Sequence, residues 1–125
     1  MKTLRIGDSG IGAQYLSLGL RRAGFSPGEI KTTFDENLHN ALVAFQNNTG
    51  ITADGIAGEM TYRNLMPYLK GYTVVSVKKN SSVQSIAKEY STTENAILRA
   101  NPTTETYLPG TQIIVPFGFD VVSTE

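Results

Sequence analysis

Few side chains in this sequence are placed to do covalent chemistry. Hydrolysis needs a nucleophile with its base, a metal with an activated water, or two placed carboxylates. The one histidine, His39, falls in a helix-period stretch beside the buried positions and reads as a surface residue. Asp35 and Glu36 are adjacent carboxylates, and capping the start of that helix accounts for both. Asp54 precedes Gly55 and is set to hold its own turn through an Asx hydrogen bond. Cysteine is absent and histidine occurs once, so no disulfide, thiolate cluster or multi-histidine metal site can form within the chain. The reading is of a chain with no catalytic residues, no metal ligands and no cofactor, in which the chemistry to look for is binding.

One candidate surface is legible directly. Asp54, Gly55 and Ile56 form a turn, and Tyr62 and Arg63 follow on the next helix. Arg63 can pair with a ligand carboxylate or remain a solvated arginine. Gln46 can hydrogen-bond the turn or a ligand, and the turn is the preferred reading.

Composition narrows the class. The chain has 125 residues, enough for one ordinary domain or two very small ones. Apolar residues make up 40% and charged residues 18%, which fits a globular protein. Eleven basic and 11 acidic residues balance to zero, where a nucleic-acid binder shows a basic excess. Neutrality likewise gives no reason for adhesion to an anionic membrane. No apolar run has membrane-spanning length, and Met1–Gly10 has no apolar core of a secretory signal.

The elements that must position the candidates follow from periodicity. Thr3–Ile6 alternates like a short strand, and Asp8 or Ser9 can cap a first helix. Ala13, Leu16, Leu20 and Ala23 mark its buried face, with Tyr15 and Leu18 off that face and free to meet a neighbour. Gly24 ends it, with Phe25 as the contact after the cap. Leu38, Ala41, Leu42 and Phe45 give a second helix, with Thr33 and Glu36 at capping-box spacing and Asp35 as a competing cap. Gly50 ends this helix in the left-handed conformation. A third helix carries Met60, Thr61 and Leu65, and Pro67 closes it. Lys70-Gly71 is the boundary, short enough that the modules should touch. Beyond it, Thr73–Lys78 reads as a strand. Val83, Ile86, Ala87 and Tyr90 read as a helix capped by Ser81 or Ser82. Ala96, Ile97 and Ala100 read as another, capped by Thr92 or Thr93, and Gln112–Val115 as a second strand.

Two family resemblances sit on these elements. Gly7-x-x-Gly10, Leu16, Leu20, Gly24-Phe25, Phe45-Gln46, Gly50-Ile51, the Asp54–Gly58 turn, Thr61 and Leu65 together resemble the three-helix peptidoglycan-binding domain. The sequence departs from it at Lys31–Asp35, where only Phe34 of a DG-x-FG turn is kept. The second half resembles a LysM module, on Tyr72-Thr73-Val74, Ile86-Ala87, Asn101-Pro102, Leu108-x-Gly110 and Ile113–Pro116. That family's GDT-like loop is Asn80-Ser81-Ser82 here; Asn80 tolerates the left-handed conformation that glycine supplies. The implied fold is mainly α: a peptidoglycan-binding domain over 1–70, a small α+β (βααβ) LysM domain over 71–117, and a linker or tail over 118–125. The tail is similar, over a short stretch, to what precedes the catalytic domain of clostridial-type zinc carboxypeptidase-like wall endopeptidases.

What the resemblances imply is noncatalytic recognition of peptidoglycan or a chitin-like glycan. An acetamido group needs one donor and one acceptor beside a small apolar surface, and backbone groups at loop-to-helix junctions provide them. In LysM modules two such loops act; here they are Asn80, Ser81, Ser82 and Val83, then Asn101, Pro102, Thr103 and Thr104, with Leu108 nearby. In the alternative reading Ser81 and Ser82 only cap a helix and Asn101 only ends one. The implied setting is a bacterial cell wall or spore cortex, with a downstream catalytic domain in a parent hydrolase and no nucleic-acid or membrane partner. The competing function is a structural or assembly module of a spore layer or phage tail, acting through protein contacts.

Overall fold

The computed structural model describes residues 2–117, and within them the chain forms five helices and one two-stranded sheet. The tail read as a linker, 118–125, lies outside the described residues. A first compact unit ends at Leu69 and a second begins at Lys70.

The first unit holds α1 (Ile11–Arg22), α2 (Glu36–Thr49) and α3 (Glu59–Leu69). Leu16, Leu20, Leu38, Leu42, Phe45 and Leu65 are all buried, as the 3.6-residue spacing requires. Leu18 is buried as well, so the buried face of α1 is wider than expected. Gly19 sets how closely α1 and α3 pack. A Cβ there would lie 2.9 Å from Cδ2 of both Leu65 and Leu69. The early alternation does pair: Leu4 N donates to Ala57 O at 3.1 Å and Ala57 N returns the bond to Leu4 O at 2.8 Å. This ties the N-terminus to the loop before α3.

Several local expectations change. Neither Asp8 nor Ser9 caps α1; Gly10 takes that place with no side-chain cap. Asp8 instead accepts from Arg5 N at 2.9 Å. At α2 the competing cap wins: Asp35 accepts from Leu38 N at 2.9 Å, and Thr33 is drawn into a bridge with Ser9. Gly24 and Gly50 do close α1 and α2 with positive φ, and Phe25, after the first, packs edge-on against Phe45. Pro67 does not end α3. It lies inside the helix, which forgoes the hydrogen bond to the carbonyl four residues back and runs on to bury Leu69.

The second unit runs β1 (Tyr72–Ser76), α4 (Val83–Glu89), α5 (Glu94–Ala100), β2 (Gln112–Pro116). The strands are antiparallel, with Tyr72 opposite Pro116 and Val74 opposite Ile114. Strand β1 stops at Ser76, two residues before the expected Lys78. Ser82 caps α4 in a capping box with Ser85, and Thr93 caps α5. The core is Val77, Ile86, Ala87, Ile97, Ile113 and Val115, with Val83 and Tyr107 packed at its edge.

Candidate functional site

The turn at 54–58 is built around one side chain, Gln46. It is 1% exposed, so each of its polar atoms needs a partner. Its Oε1 accepts from Gly55 N at 3.0 Å. Its Nε2 faces three acceptors: Ile56 O at 3.0 Å, Thr61 Oγ1 at 3.1 Å and Asp54 Oδ1 at 3.3 Å. Two hydrogens serve three oxygens, so at least one is shared. The amide orientation follows from the donor: the oxygen must face the Gly55 N–H. Asp54 Oδ1 also accepts from Ile56 N at 3.0 Å, the Asx bond its type and place suggest. Gln46 therefore serves the turn, as preferred from sequence.

The turn borders a groove of about 480 Å³. Ile51, Ile56 and Met60 give it apolar walls, and Asp54 and Glu59 are its charged residues. Gly50 and Gly58 line it without side chains. Tyr62 and Arg63 do not reach it. They line a separate groove on α3 with Glu59 and Met66. The five residues expected to form one surface are thus divided: Asp54 and Ile56 line the first groove, Gly55 is buried behind it, and Tyr62 and Arg63 face elsewhere. Helical geometry is the reason: Glu59, Tyr62, Arg63 and Met66 fall on one face of α3, while Met60 lies to the side of it and Thr61 turns inward to Gln46. Arg63 pairs with Glu59 at 3.2 Å, and both side chains are largely exposed. Burial pushes the Tyr62 phenol up to about 12. The lining residues missed from sequence are Gly50, Ile51, Thr52, Gly58, Glu59, Met60 and Thr61.

His39 is also placed differently from its sequence reading. It is partly buried, with its imidazole over the Cα of Gly55 and its Nδ1 enclosed without a partner among the described residues. A helix-period count locates the residue on α2 but not the turn that folds back onto it.

In the second unit, the hydrogen bonds between Val77 N and Thr111 O and between Gly110 N and Val77 O, each 2.8 Å, continue the pairing past the strands. The segments carrying Asn80 and Leu108 therefore leave the same end of the sheet. Asn80 takes φ 68°, the left-handed conformation expected of it. Ser82 Oγ and Ser85 Oγ exchange bonds with each other's backbone, so Ser82 serves as the cap. Ser81 N donates to Lys78 O at 3.0 Å. Val83 is half-buried on the core, and Leu108 stands 62% exposed. Pro102 and Thr103 are exposed, and Thr104 N closes a turn on Asn101 O at 3.1 Å.

Asn101 has a committed side chain. Its Nδ2 donates to Ile97 O and Ile114 O, both at 2.7 Å, and its Oδ1 accepts from Ile114 N at 2.8 Å. The amide thus satisfies the outward-facing backbone of β2, whose other edge pairs with β1. What this loop can offer a ligand is backbone, the hydroxyls of Thr103 and Thr104, and the ring of Pro102.

Among the described residues no group of three or more His, Cys, Asp or Glu could hold a metal ion, and no helix is long and apolar enough to cross a membrane.

Residues 14–65 match the family described as "Putative peptidoglycan binding domain", so the chain carries a peptidoglycan-binding domain; the match runs from within α1, through α2 and the Gln46-braced turn, into α3. The chain is similar to the solved SleB N-terminal domain, with 30% identity over 55% of this chain and 94% of that one, at a TM-score of 0.52. It is also similar to a Burkholderia AP3 phage endolysin, with 32% identity over 76% of this chain and 35% of that one, at a TM-score of 0.51. A peptidoglycan-binding protein from Clostridioides difficile, solved in complex with glutamine hydroxamate, shares 36% identity over 51% of this chain and 40% of that one, at a TM-score of 0.49. The chain thus spans well under two thirds of the endolysin and of the Clostridioides difficile protein.

Proposed function

We propose that this chain is a noncatalytic wall-binding region whose two units grip one polymer, peptidoglycan, and target a cell-wall hydrolase to it at the bacterial wall or spore cortex. The observation carrying this is the braced, open groove at the 54–58 turn, lying within the segment that matches the peptidoglycan-binding family. Likeness to part of a phage endolysin supports a place beside a hydrolase. For the second unit, the strand–helix–helix–strand order and the left-handed Asn80 support a LysM-type module. Its glycan site comprises Asn80, Ser81, Ser82 and Val83 with Pro102, Thr103, Thr104 and Leu108, and Asn101 acts there by holding its loop to β2. Two weak sites on one chain raise apparent affinity through effective concentration when both reach the polymer.

Sedimentation with purified, protein-free peptidoglycan tests the proposal. Retention that persists at moderate salt and is competed by soluble muropeptides is the expected result. No retention, together with a stable oligomer in analytical ultracentrifugation, favours an assembly module instead.

A further inference from the structure

The groove beside the 54–58 turn is chemically one-sided. Its charged lining residues are Asp54 and Glu59, and none of its lining residues is basic. Asp54 uses Oδ1 to hold the turn, receiving Ile56 N and Gln46 Nε2, and has Oδ2 left for a ligand. Among the described residues Glu59 is engaged by Arg63 alone, in a pair whose side chains are 67% and 84% exposed for Arg63 and Glu59. Such an exposed pair is worth a few tenths of a kcal/mol, so an incoming cation can replace it. The same groove has apolar lining from Ile51, Ile56 and Met60, the last 51% exposed. Gly50 and Gly58 keep the groove open, and a Cβ at either would meet no atom within 4 Å.

We infer that this groove takes the aliphatic, ammonium-bearing side chain of the diamino acid in a peptidoglycan stem peptide. An alkyl stem ending in an ammonium matches both features at once: methylenes cover the apolar walls while the charged head reaches the carboxylates. A bare divalent cation does not fit, because two carboxylates at a groove rim fall short of an oxygen cage. A stem carboxylate is repelled from this groove, whose charged lining residues are both acidic. The inference rests on the peptidoglycan reading above and names the part of the polymer the first unit recognises.

The test uses the full chain and two soluble muropeptides that differ at one atom group. One has the diamino acid's side-chain amine free; the other has the same amine acetylated. Amide shifts of residues 50–61 are followed during titration of each. The free amine should bind about fivefold more tightly, the size of one exposed charge contact. The double variant Asp54→Asn, Glu59→Gln should lose that preference and bind both muropeptides as wild type binds the acetylated one. Asn at 54 keeps the Oδ1 acceptor, so an unchanged amide spectrum elsewhere shows an intact turn. Equal wild-type affinity for both muropeptides, with the chain still retained on peptidoglycan, overturns this inference alone. Failure of the intact chain to sediment with peptidoglycan overturns the wall-binding reading and this one with it.

Discussion

The imidazole of His39 lies over the Cα of Gly55, so closely that a Cβ at 55 would overlap Cε1 and Nδ1. The second helix and the turn after it are thereby locked face to face, with Gln46 bonding the turn and His39, two helical turns earlier on the same side of α2, covering it. Position 55 also has φ 73°, which a side chain disfavours. Gly55→Ala should therefore cost about 1 kcal/mol from backbone strain and about 1–3 kcal/mol from overlap. Adding His39→Ala should recover the overlap part and leave the strain. Urea denaturation of the two single variants and the double variant measures this, and simple additivity would contradict the contact.

Gln46 bonds four groups of the turn and of α3: Gly55 N, Ile56 O, Asp54 Oδ1 and Thr61 Oγ1. Gln46→Ala should destabilise the first unit by about 2–4 kcal/mol, because Gly55 N and Thr61 Oγ1 lose partners in a buried site. Gln46→Glu should be comparably harmful, since it turns a donor toward three oxygens into another oxygen. Hydrogen exchange at the Gly55 amide reports the loss locally, and full protection of that amide in Gln46→Ala would refute the role assigned to Gln46.

Asp35 links stability to acid pH. The hydrogen bond from Lys31 Nζ at 2.8 Å, then that from Leu38 N, holds its carboxyl below the usual range. A depressed native value stabilises the fold above the unfolded carboxylate value of about 3.9 and loses that contribution as pH falls through the lower native one. The carboxyl is over a third exposed, so the effect is small. Asp35→Asn should keep the cap but flatten the loss of stability as pH falls below about 4. Asp35→Ala should also lose about 1 kcal/mol at neutral pH. Acid titration of thermal melts distinguishes the two variants.

At the alkaline end, Tyr62 has its phenol pushed to about 12 by burial, and its hydroxyl has no partner among the described residues. Ionisation must expose it, so stability present below the unfolded value of about 10 is lost as pH rises toward 12. Tyr62→Phe removes that loss, and it should be neutral or slightly stabilising at pH 7, within about 1 kcal/mol. Ultraviolet titration of the phenolate band should lose its latest-ionising tyrosine in the variant, while Tyr15 and Tyr107, which burial also raises, still ionise late.

Asn101→Ala should cost the second unit about 2–4 kcal/mol by leaving Ile114 N and O unsatisfied at the core. Asn101→Asp keeps the acceptor for Ile114 N but faces two carbonyls without a donor, so it should rescue little. Fast exchange at the Ile114 amide in both variants is the expected signature.

The sequence by itself determined where the helices and strands lie, because apolar spacing and caps act within a few residues. Leu38, Ala41, Leu42 and Phe45 could face only one way, and Gly50, Ser82 and Thr93 end or start their helices through neighbours in the chain. The Asx bond of Asp54 and the left-handed Asn80 were legible for the same reason. What lies across the chain was not. Asp35 over Thr33 as the cap, and His39 against Gly55, depend on which segments fold back on one another. Tertiary packing decided that Glu59 and Met60, rather than Tyr62 and Arg63, complete the groove with Asp54. It also decided that the Asn101 amide is spent on Ile114. A side chain's type tells which bonds it can make; only the folded arrangement says which partner reaches it first.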